Sequence, residues 1–431
     1  MTRAHHLRSP RTWLTAPLAV GTALVVTACG GSVGATGGNS GAGDTAGFDY
    51  GASQEDVDAA IADLDPVELV FQASSASPES VVAKSNTAFI EAVEERSGGK
   101  IKLDVVWGQA IAGYAEVDDA LADGRVDISY TQPMYDPSHY TAYDSLIAVS
   151  GGLPQSPMAG ELISNSVISD IAFQSETMKS EFEDRGLTRL LPSTANNGYY
   201  SLCTEPGTEL ADYDGRQVRI GASAHGELAQ DLGASPVSLE YVETFEALQR
   251  NTLDCTFTPF NASIQGKFHD VAPHIGYATD QGLPRGWGAY AAGTKFQSLP
   301  LPYQQIVFDS LYQVVEQGLA LAVDTNAMVI EEAKAKGGEV AEFGPEAKDV
   351  IATSNEDLMQ QVVESGTLGD DLEGRMAASL EKWTGVVEEL EYVDGGETSE
   401  MDEWYTEGEV DFAPISQRLF EDVVVPHRPG A

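Results

Sequence analysis

The chain has 431 residues and a formal net charge of −43 at pH 7, because 67 aspartates and glutamates outnumber 24 lysines and arginines. This charge excludes general affinity for nucleic acids and for anionic lipid surfaces. Hydrophobic residues make up 42% of the chain and aromatic residues 8%, which is too apolar for a disordered polyanion. The length suffices for two sizeable hydrophobic cores and a leader.

The N-terminus has the pattern of a bacterial secretory signal. Three arginines without any acidic residue precede an apolar stretch that begins near Leu14. Cys29 comes directly after Val-Thr-Ala, which resembles the lipobox of bacterial lipoproteins. The resemblance implies cleavage of residues 1–28, acylation of Cys29 and a lipid-anchored location at the cell surface or in the periplasm. A core cysteine in an uncleaved segment is less favoured, because the apolar run contains Pro17 and is shorter than the roughly 20 residues of a membrane-spanning helix.

Residues 29–66 are predicted to form the lipid anchor and a flexible linker. Glycine and serine dominate residues 30–50, and such sequences behave as flexible coils. A coil of about 35 residues has a root-mean-square reach of about 30 Å. The linker would therefore hold a globular body away from the membrane without fixing its orientation.

The globular pattern begins at Val67 and alternates strands with helices. Ser77 and Pro78 are typical of a helix start, and the Ser-Gly-Gly run at 97–99 is typical of a helix end. This alternation indicates parallel strand pairing with helices on the sheet faces. The predicted elements are a strand at 68–71, a helix at 77–96, a strand at 101–106, a helix at 116–122 and a strand at 126–130.

A second α/β unit begins near residue 199. Apolar residues at helical spacing then predict a helical region over 302–336. The tail from about residue 366 is acidic and rich in predicted helix. The predicted elements of the second unit are strands at 199–203, 217–220, 237–239 and 253–257 and helices at 224–232 and 243–250.

Two cysteines, Cys203 and Cys255, remain after Cys29. Outside the cytoplasm an isolated pair is more often a disulfide than a metal site. The seven histidines show no HExxH spacing, and the chain has no CxxC pair and no DxDxDG calcium loop. We therefore expect neither a metal nor another cofactor.

Four segments carry motifs of one known family. They are residues 89–101 (FIEAVEERSGGKI), 120–129 (ALADGRVDIS), 210–220 (LADYDGRQVRI) and 232–254 (LGASPVSLEYVETFEALQRNTLD). In this order, behind a lipobox-like sequence, they resemble the extracytoplasmic solute-binding proteins of TRAP transporters, the DctP-type receptors. The resemblance covers about residues 67–345.

The resemblance implies a two-lobe α/β fold, like that of periplasmic binding proteins, with a ligand cleft between the lobes. The first lobe would comprise residues 67–197 with 286–325 returning to it, and the second residues 198–285 with 326–365 packed on it. Residues 366–431 would form an acidic, helix-rich C-terminal extension. The resemblance further implies a receptor, not an enzyme, that captures a small organic acid and delivers it to the membrane subunits of a TRAP permease.

Arg219 is the candidate ligand anchor, because it matches the arginine that ends the family's K-I-R motif at a strand end facing the cleft. A guanidinium grips a carboxylate through two parallel hydrogen bonds. A free carboxylate would not enter a cleft of so acidic a chain without local positive charge. A surface salt bridge is the alternative role for this arginine.

Tyr200 replaces a second arginine that many family members carry in an N-G-F-R motif. The matching run here is Asn-Gly-Tyr-Tyr at 197–200. A phenol donates one hydrogen bond and carries no charge. The substitution disfavours a dicarboxylate or a sialic-acid-type ligand and favours a monocarboxylate, or a ligand with a hydroxyl or carbonyl near Tyr200. An ordinary core tyrosine is the alternative role.

Further ligand-binding candidates come from the family pattern and from predicted strand ends, where open α/β sheets place ligands. Core packing is the alternative role for each of them. The candidates are Asn197, Phe257, Thr258 and Asn261 in the second lobe, Trp107, Gln109 and Gln132 in the first lobe, and Trp287 as a cap over the cleft.

The positions of the two remaining cysteines predict a disulfide between Cys203 and Cys255. Cys203 ends the predicted strand of Tyr200, and Cys255 begins the stretch that leads to Thr258. Both strands belong to the second lobe, so we expect them to be neighbours joined by the disulfide.

Two other classes of protein share parts of this pattern. An ABC-type solute-binding lipoprotein has the same architecture and anchor, but the K-I-R-like and E-x-x-x-A-L-Q-like motifs favour the TRAP type. A secreted hydrolase is the enzyme alternative. Its nearest nucleophile elbow, Gly-Ala-Ser-Ala-His at 221–225, has histidine where the G-x-S-x-G turn needs glycine.

Overall fold

The computed structural model describes residues 46–431. Cys29, the predicted signal peptide and most of the glycine-rich linker lie outside the described residues. The α-helices, in chain order, are α1 (Gln54–Ile61), α2 (Lys84–Arg96), α3 (Val117–Ala122), α4 (Thr141–Val149), α5 (Ala159–Gln174), α6 (Glu176–Glu183), α7 (Ser223–Asp231), α8 (Tyr241–Gln249), α9 (Phe260–Gly266), α10 (Thr294–Gln297), α11 (Leu301–Ser310), α12 (Tyr312–Ala335), α13 (Pro345–Ser365), α14 (Leu372–Glu389), α15 (Met401–Trp404) and α16 (Ala413–Leu419). The β-strands are β1 (Val67–Gln72), β2 (Ile101–Val106), β3 (Ile128–Thr131), β4 (Thr188–Leu191), β5 (Tyr199–Cys203), β6 (Gln217–Ile220), β7 (Ser235–Ser238), β8 (Cys255–Pro259), β9 (His274–Tyr277), β10 (Ala289–Ala292) and β11 (Val340–Glu342).

The strands form two mixed sheets, and each sheet with its helices is one lobe. The five-stranded sheet of lobe 1 has the order β2-β1-β3-β10-β4, and the six-stranded sheet of lobe 2 has the order β11-β9-β5-β8-β6-β7. The predicted parallel pairing of β1 with β2 and β3 is confirmed. Strand β10 returns to lobe 1 antiparallel to β3 and β4. The predicted two-lobe α/β fold is therefore confirmed.

The long helix α2 begins later than the sequence predicts. Its first residue is Lys84, whereas Ser77 and Pro78 were expected to start it. The backbone N–H of Ser80 donates to the carbonyl of Ser77, and Ser80 itself is extended, with φ −65° and ψ 140°. An extended residue cannot continue an α-helix, so the Ser-Pro signal marks a turn that precedes the helix.

The predicted flexible linker ends earlier than residue 66. Helix α1 forms within it and is capped by Ser53, whose hydroxyl accepts a hydrogen bond from the Asp56 N–H at 3.2 Å. Val57 and Ile61 of this helix are buried in the hydrophobic core. Burial of these two apolar side chains contributes to the free energy that orders the segment.

The chain crosses between the lobes from β4 to β5 and again from β9 to β10, and a buried carboxylate joins both crossings. Glu161 on α5 accepts hydrogen bonds from the Gly198 N–H at 2.8 Å and from Arg285 Nη1 at 2.6 Å. It also accepts one from Asn326 on α12 at 3.2 Å. Glu161 and Arg285 are both about 1% exposed. This network fixes the two crossing segments to the long helix.

Helix α12 packs against α2 and α5 of lobe 1 and against α9 of lobe 2. The run Leu301–Ala335, which covers α11 and α12, is long and apolar enough to cross a membrane by length and composition alone. Half of its most apolar window is buried within the protein. We therefore interpret it as the core helix that spans both lobes.

The C-terminal extension packs on lobe 1 and on the long helix. Helix α14 lies along α5, where the Ser379 hydroxyl and the Trp383 indole donate to Asp170 at 2.9 and 3.3 Å. The Tyr405 hydroxyl donates to Asp324 on α12 at 2.7 Å. The extension is therefore part of the folded body in spite of its acidic composition.

The predicted disulfide is present. Cys203 and Cys255 lie directly opposite each other in the antiparallel pair β5–β8 and are bonded. The bond closes a loop of 52 residues and joins the two central strands of lobe 2.

We expect the double variant Cys203→Ala/Cys255→Ala to lose about 2–4 kcal/mol of unfolding free energy, because the disulfide restricts the unfolded chain. Urea unfolding of the oxidised protein and the variant measures the loss. Dithiothreitol should destabilise the wild-type protein and leave the variant unchanged. Two free thiols in non-reducing peptide mapping of the native protein would contradict the pairing.

Candidate functional site

A cavity of about 120 Å³ is lined by residues of both lobes. Lobe 1 contributes Tyr130 and Gln132 from the end of β3 and Trp287 from the segment before β10. Lobe 2 contributes Arg219 from β6 and Thr258 from β8. The cavity is small compared with the roughly 300–1,000 Å³ of pockets for drug-sized ligands, so it suits a small molecule.

Arg219 is the only charged side chain among the described residues that line this cavity. It is 3% exposed. Its Nε donates to the carbonyl of Leu239 at 2.8 Å, which fixes the guanidinium plane. Within the described part of the chain, its buried Nη2 has no hydrogen-bond partner. A guanidinium held in this way presents donors and a full positive charge to whatever occupies the cavity.

Six tyrosines form much of the cavity wall, and the rings of three of them, Tyr114, Tyr130 and Tyr290, make edge-to-face contacts. Tyr130 lies 5.8 Å from Tyr114 and 5.8 Å from Tyr290 between ring centroids. Burial raises the pKa of Tyr130 and of Tyr199 far above the usual range, so both phenols are neutral at physiological pH. The tyrosines are Tyr114, Tyr130, Tyr135, Tyr199, Tyr241 and Tyr290.

The glycines that flank Trp287 make room for two of these tyrosines. A Cβ atom on Gly286 would lie 2.4 Å from the Tyr199 hydroxyl, and a Cβ atom on Gly288 would lie 2.1 Å from the Tyr130 ring. Real Cβ contacts are essentially never shorter than 3.0 Å. The Gly-Trp-Gly sequence therefore permits the aromatic wall to close around the cavity.

Three further polar atoms face the cavity without a partner among the described residues. They are Gln132 Oε1, Thr258 Oγ1 and Trp287 Nε1. The other end of the Gln132 amide donates to the Tyr130 hydroxyl at 2.6 Å. With Arg219 Nη2, four of the fifteen such atoms in the described residues belong to this one cavity. Buried polar atoms without partners are rare in folded proteins, so the cavity is a candidate binding site.

His225 supports the turn that follows Arg219. Its Nδ1 accepts from the N–H groups of Gly221 and Ala222 at 3.4 and 3.2 Å, and its Nε2 donates to the Pro284 carbonyl at 2.8 Å. Burial, together with the positive charge of Arg219, lowers the pKa of His225 to about 4. The imidazole is therefore neutral at physiological pH and adds no charge beside Arg219.

The structure brings five of the ten sequence-predicted ligand residues to the cavity. These five are Gln132, Arg219, Thr258, Asn261 and Trp287. They come from separate segments of both lobes, as a cleft between two lobes requires.

Two predicted residues on strands lie outside the cavity. Tyr200 is fully buried and stacks on Phe260, with 3.8 Å between ring centroids. Phe257 is buried in the second hydrophobic cluster of lobe 2. Phe257 and Thr258 point to opposite faces of β8, and Thr258 reaches the cavity. Tyr200 lies directly opposite Thr258 and shares its face of the sheet, but Tyr199 lines the cavity in its place.

Three predicted residues outside strands also lie elsewhere. Asn197 donates to Thr325 at 2.9 Å and to Asn326 at 2.8 Å, and so attaches a lobe crossing to α12. Trp107 packs against the lobe 1 core, and Gln109 occupies a left-handed turn position with φ 58°. These two residues follow β2, whereas the cavity lies at the ends of β3 and β10.

The tyrosine wall was missed from the sequence. Tyr130 and Tyr199 belong to predicted strands, but neither strand pattern shows which face meets the other lobe. The sequence signal for Tyr130 is that it precedes Gln132 by two residues, which places both on one face of a strand. Tyr241 and Tyr114 come together with them only through the tertiary fold.

A buried cavity between two lobes is a typical place for a small-molecule binding site. A solute-binding protein of Verminephrobacter eiseniae is 22% identical over 267 residues, which cover 61% of this chain and 76% of that protein. A TRAP periplasmic solute-binding protein of Bordetella bronchiseptica, solved with bound (R)- and (S)-mandelate, is 18% identical with a TM-score of 0.63, over 76% of this chain and 100% of that chain. A TRAP solute-binding protein of Rhodoferax ferrireducens, solved with copurified benzoate, is 20% identical with a TM-score of 0.62, over 74% and 99% of the two chains.

Residues 72–365 match the family described as bacterial extracellular solute-binding protein, family 7, or DctP. The match covers more than half of the chain, so the protein belongs to this family of TRAP-transporter receptors. It is a binding protein that works outside the cytoplasm with a membrane permease, and not an enzyme. The match favours neither the ABC-type receptor nor the secreted hydrolase.

The neutral state of His225 predicts a pH dependence of stability. Its folded pKa of about 4 lies below the unfolded value of 6.5. The stabilisation is therefore complete above pH 6.5 and is lost as the pH falls towards 4, because the unfolded chain binds the proton first. At full loss this amounts to about 3 kcal/mol.

We expect the unfolding free energy of His225→Gln to fall less with decreasing pH than that of the wild type, because the contribution of His225 is absent. Urea unfolding at pH 7.5 and pH 4.5 measures the difference between wild type and variant at each pH. His139→Gln is the control, because His139 is exposed. Its unfolding free energy should fall between pH 7.5 and pH 4.5 by as much as that of the wild type. Equal pH dependence of wild type and His225→Gln would show that His225 is not buried in the neutral form.

Proposed function

We propose that the protein binds a small monocarboxylate between its lobes and delivers it to a TRAP permease. The observation that carries this proposal is the unpaired Nη2 of Arg219 in a cavity without any acidic side chain among its described lining residues. Removing a guanidinium from water without a counter-charge is strongly unfavourable. A ligand carboxylate supplies the counter-charge and accepts the free donor.

The cavity supports one negative charge and not two. Arg219 is its only cation among the described lining residues, and His225 behind it is neutral. A second carboxylate would be buried without a counter-charge in a chain of net charge −43. Tyr200 adds no recognition of a second carboxylate, because its side chain lies outside the cavity.

The ligands of similar structures support the same class of compound. Mandelate and benzoate, bound by the Bordetella bronchiseptica and Rhodoferax ferrireducens proteins, each carry one carboxylate and one ring. The sequence identities of 18 and 20% relate the folds, and the lining residues of this chain carry the assignment of the ligand class.

We expect Arg219→Ala to weaken monocarboxylate binding by about 30-fold or more, because loss of one partner of a buried charge pair costs about 2–5 kcal/mol. Arg219→Lys keeps the charge but loses the planar fork, so we expect an intermediate loss. Isothermal titration calorimetry measures both variants after co-purified ligand has been removed by partial unfolding and dialysis.

Arg250→Ala is the matched control, because Arg250 is an exposed arginine of lobe 2 that pairs only with Glu246 in the described part of the chain. It should bind as the wild type does. A thermal-shift screen of organic acids, sugars and amino acids defines the class, since a bound ligand stabilises the folded state. Shifts with neutral sugars but with no monocarboxylate, or undiminished binding by Arg219→Ala, would contradict the proposal.

We also propose that the receptor is tethered to the membrane through acylated Cys29. The lipobox-like sequence supports the modification, and the glycine-rich stretch that follows supports a flexible tether. A tether raises the effective concentration of the receptor beside its permease. Stable anchoring needs two or more acyl chains.

Substitution of Cys29 tests the tether. In the native host, the wild-type protein should sediment with membranes and incorporate labelled palmitate, whereas Cys29→Ser should do neither. Cys203→Ser is the control cysteine, because its thiol is engaged in the disulfide. Membrane recovery and labelling of Cys29→Ser at the wild-type level would disprove the anchor.

A further inference from the structure

The ligand carboxylate proposed to bind Arg219 would pair with only some of the unpaired polar atoms in the cavity. Arg219 pairs in register with Thr256, and Thr258 lies two residues further along the same strand of lobe 2. Arg219 Nη2 and Thr258 Oγ1 can therefore both serve one carboxylate. Gln132 Oε1 and Trp287 Nε1 remain without a partner among the described residues.

Gln132 and Trp287 lie at the same edge of the lobe 1 sheet. Strands β3 and β10 are antiparallel, with Thr131 opposite Ala289. Gln132 directly follows Thr131, and Trp287 precedes Ala289 by two residues. The two side chains therefore leave neighbouring strands at one place, across the cavity from the lobe 2 residues.

Both side chains are held in position by other contacts. The Gln132 amide donates to the Tyr130 hydroxyl at 2.6 Å, which leaves its oxygen for the cavity. The Trp287 ring packs on Tyr143 with 5.5 Å between centroids, and Trp287 is 2% exposed. The free atoms thus have fixed directions and form a preorganised pair.

The chemistry of this pair is specific. The amide oxygen of Gln132 only accepts a hydrogen bond, and the indole N–H of Trp287 only donates one. A hydroxyl group can satisfy both, because it donates one hydrogen bond and accepts others. An amide group can do so as well, through its N–H and its carbonyl. A second carboxylate would meet the Gln132 oxygen with no proton to share.

The wall between the two polar ends is aromatic. Six tyrosines and Trp287 line a cavity of about 120 Å³. Aromatic walls of this kind favour a flat or compact ring over a flexible chain, because rings pack against them with little loss of rotational freedom.

We propose that the ligand is a ring-bearing monocarboxylate with a second, uncharged polar group, a hydroxyl or an amide, that donates to Gln132 and accepts from Trp287. This proposal rests on the carboxylate site at Arg219. The ligand bridges the lobes, with its carboxylate on lobe 2 and its second polar group on lobe 1. An acid without that group leaves Gln132 and Trp287 unpaired when the lobes close, so it binds more weakly.

Calorimetric titration of the purified full-length protein tests the proposal with matched acids. The probes are phenylacetate with its hydroxylated derivatives mandelate and 3-hydroxyphenylacetate, and cyclopentanecarboxylate with its lactam analogue 5-oxoproline. For at least one pair, the polar derivative should bind about 10- to 100-fold more tightly than its parent. The measured quantity is the ratio of the two dissociation constants.

Variants assign this ratio to the proposed atoms. Gln132→Leu removes the acceptor, and Trp287→Phe removes the donor while keeping an aromatic ring. Each should reduce the ratio at least fivefold. Trp404→Phe is the control, because it removes an indole N–H that donates to the Glu397 carbonyl outside the cavity. It should keep the wild-type ratio.

The outcomes separate this proposal from the carboxylate site on which it rests. A preference for a polar derivative that falls in Gln132→Leu and Trp287→Phe supports it. Parent acids that bind as tightly as every derivative, or a preference that survives both variants, overturn it and leave the carboxylate site intact. No binding of any acid overturns the carboxylate site and this proposal together.

Discussion

A buried polar atom needs a partner, and two parts of the polar interior meet this constraint differently. At the lobe crossings the constraint is met for the Glu161 carboxylate within the protein, because it is bonded to Gly198, Arg285 and Asn326. In the cavity it is not met among the described residues, because Arg219, Thr258, Gln132 and Trp287 each retain an unpaired atom. The first part fixes the geometry of the two lobes relative to α12. The unpaired atoms of the cavity are available to a ligand. Their pattern of donors and acceptors indicates which polar groups that ligand carries.

The net charge of the chain further restricts the kind of ligand that the cavity can bind. A net charge of −43 repels anions from most of the surface, so a cavity that admits a carboxylate must carry local positive charge. Arg219 is the only such charge among the described lining residues, and the depressed pKa of His225 prevents a second one at physiological pH. The two lobes contribute different groups to the cavity. Lobe 2 contributes the charged side chain, and lobe 1 contributes neutral polar atoms. A single ligand that contacts residues of both lobes would pair with both sets of atoms.

Local sequence patterns predicted those parts of the fold that depend on local structure. Strands β5 and β6 occupy the predicted residues, and the K-I-R-like motif led directly to Arg219 at a strand end. Strands β4, β10 and β11 were not predicted, because they are three or four residues long and exist only through pairing with distant parts of the chain. The sequence of the segment that forms α1 was interpreted as linker, because only the tertiary structure shows that its two apolar residues are buried in the core.

Prediction of the candidate site from the sequence has the same limit for single residues. Gln132, Thr258 and Trp287 follow from strand ends and family motifs, whereas Tyr200 and Phe257 are each displaced by one residue from a neighbour that lines the cavity. For Phe257 the one-residue step changes the face of the strand, which the sequence does not show. Tyr200 shares the face of Thr258 but packs on Phe260, and this packing also has no signal in the sequence. The tyrosine wall depends on the packing of two lobes and has no local signature.

The most direct measurement is a crystal structure of the protein with a bound monocarboxylate from the titrations. The account predicts the carboxylate within about 2.7–2.9 Å of Arg219 Nη2, the distance of a charge-assisted hydrogen bond, with the ring among the tyrosines. A carboxylate placed at another site, with Arg219 Nη2 still unpaired, would contradict it.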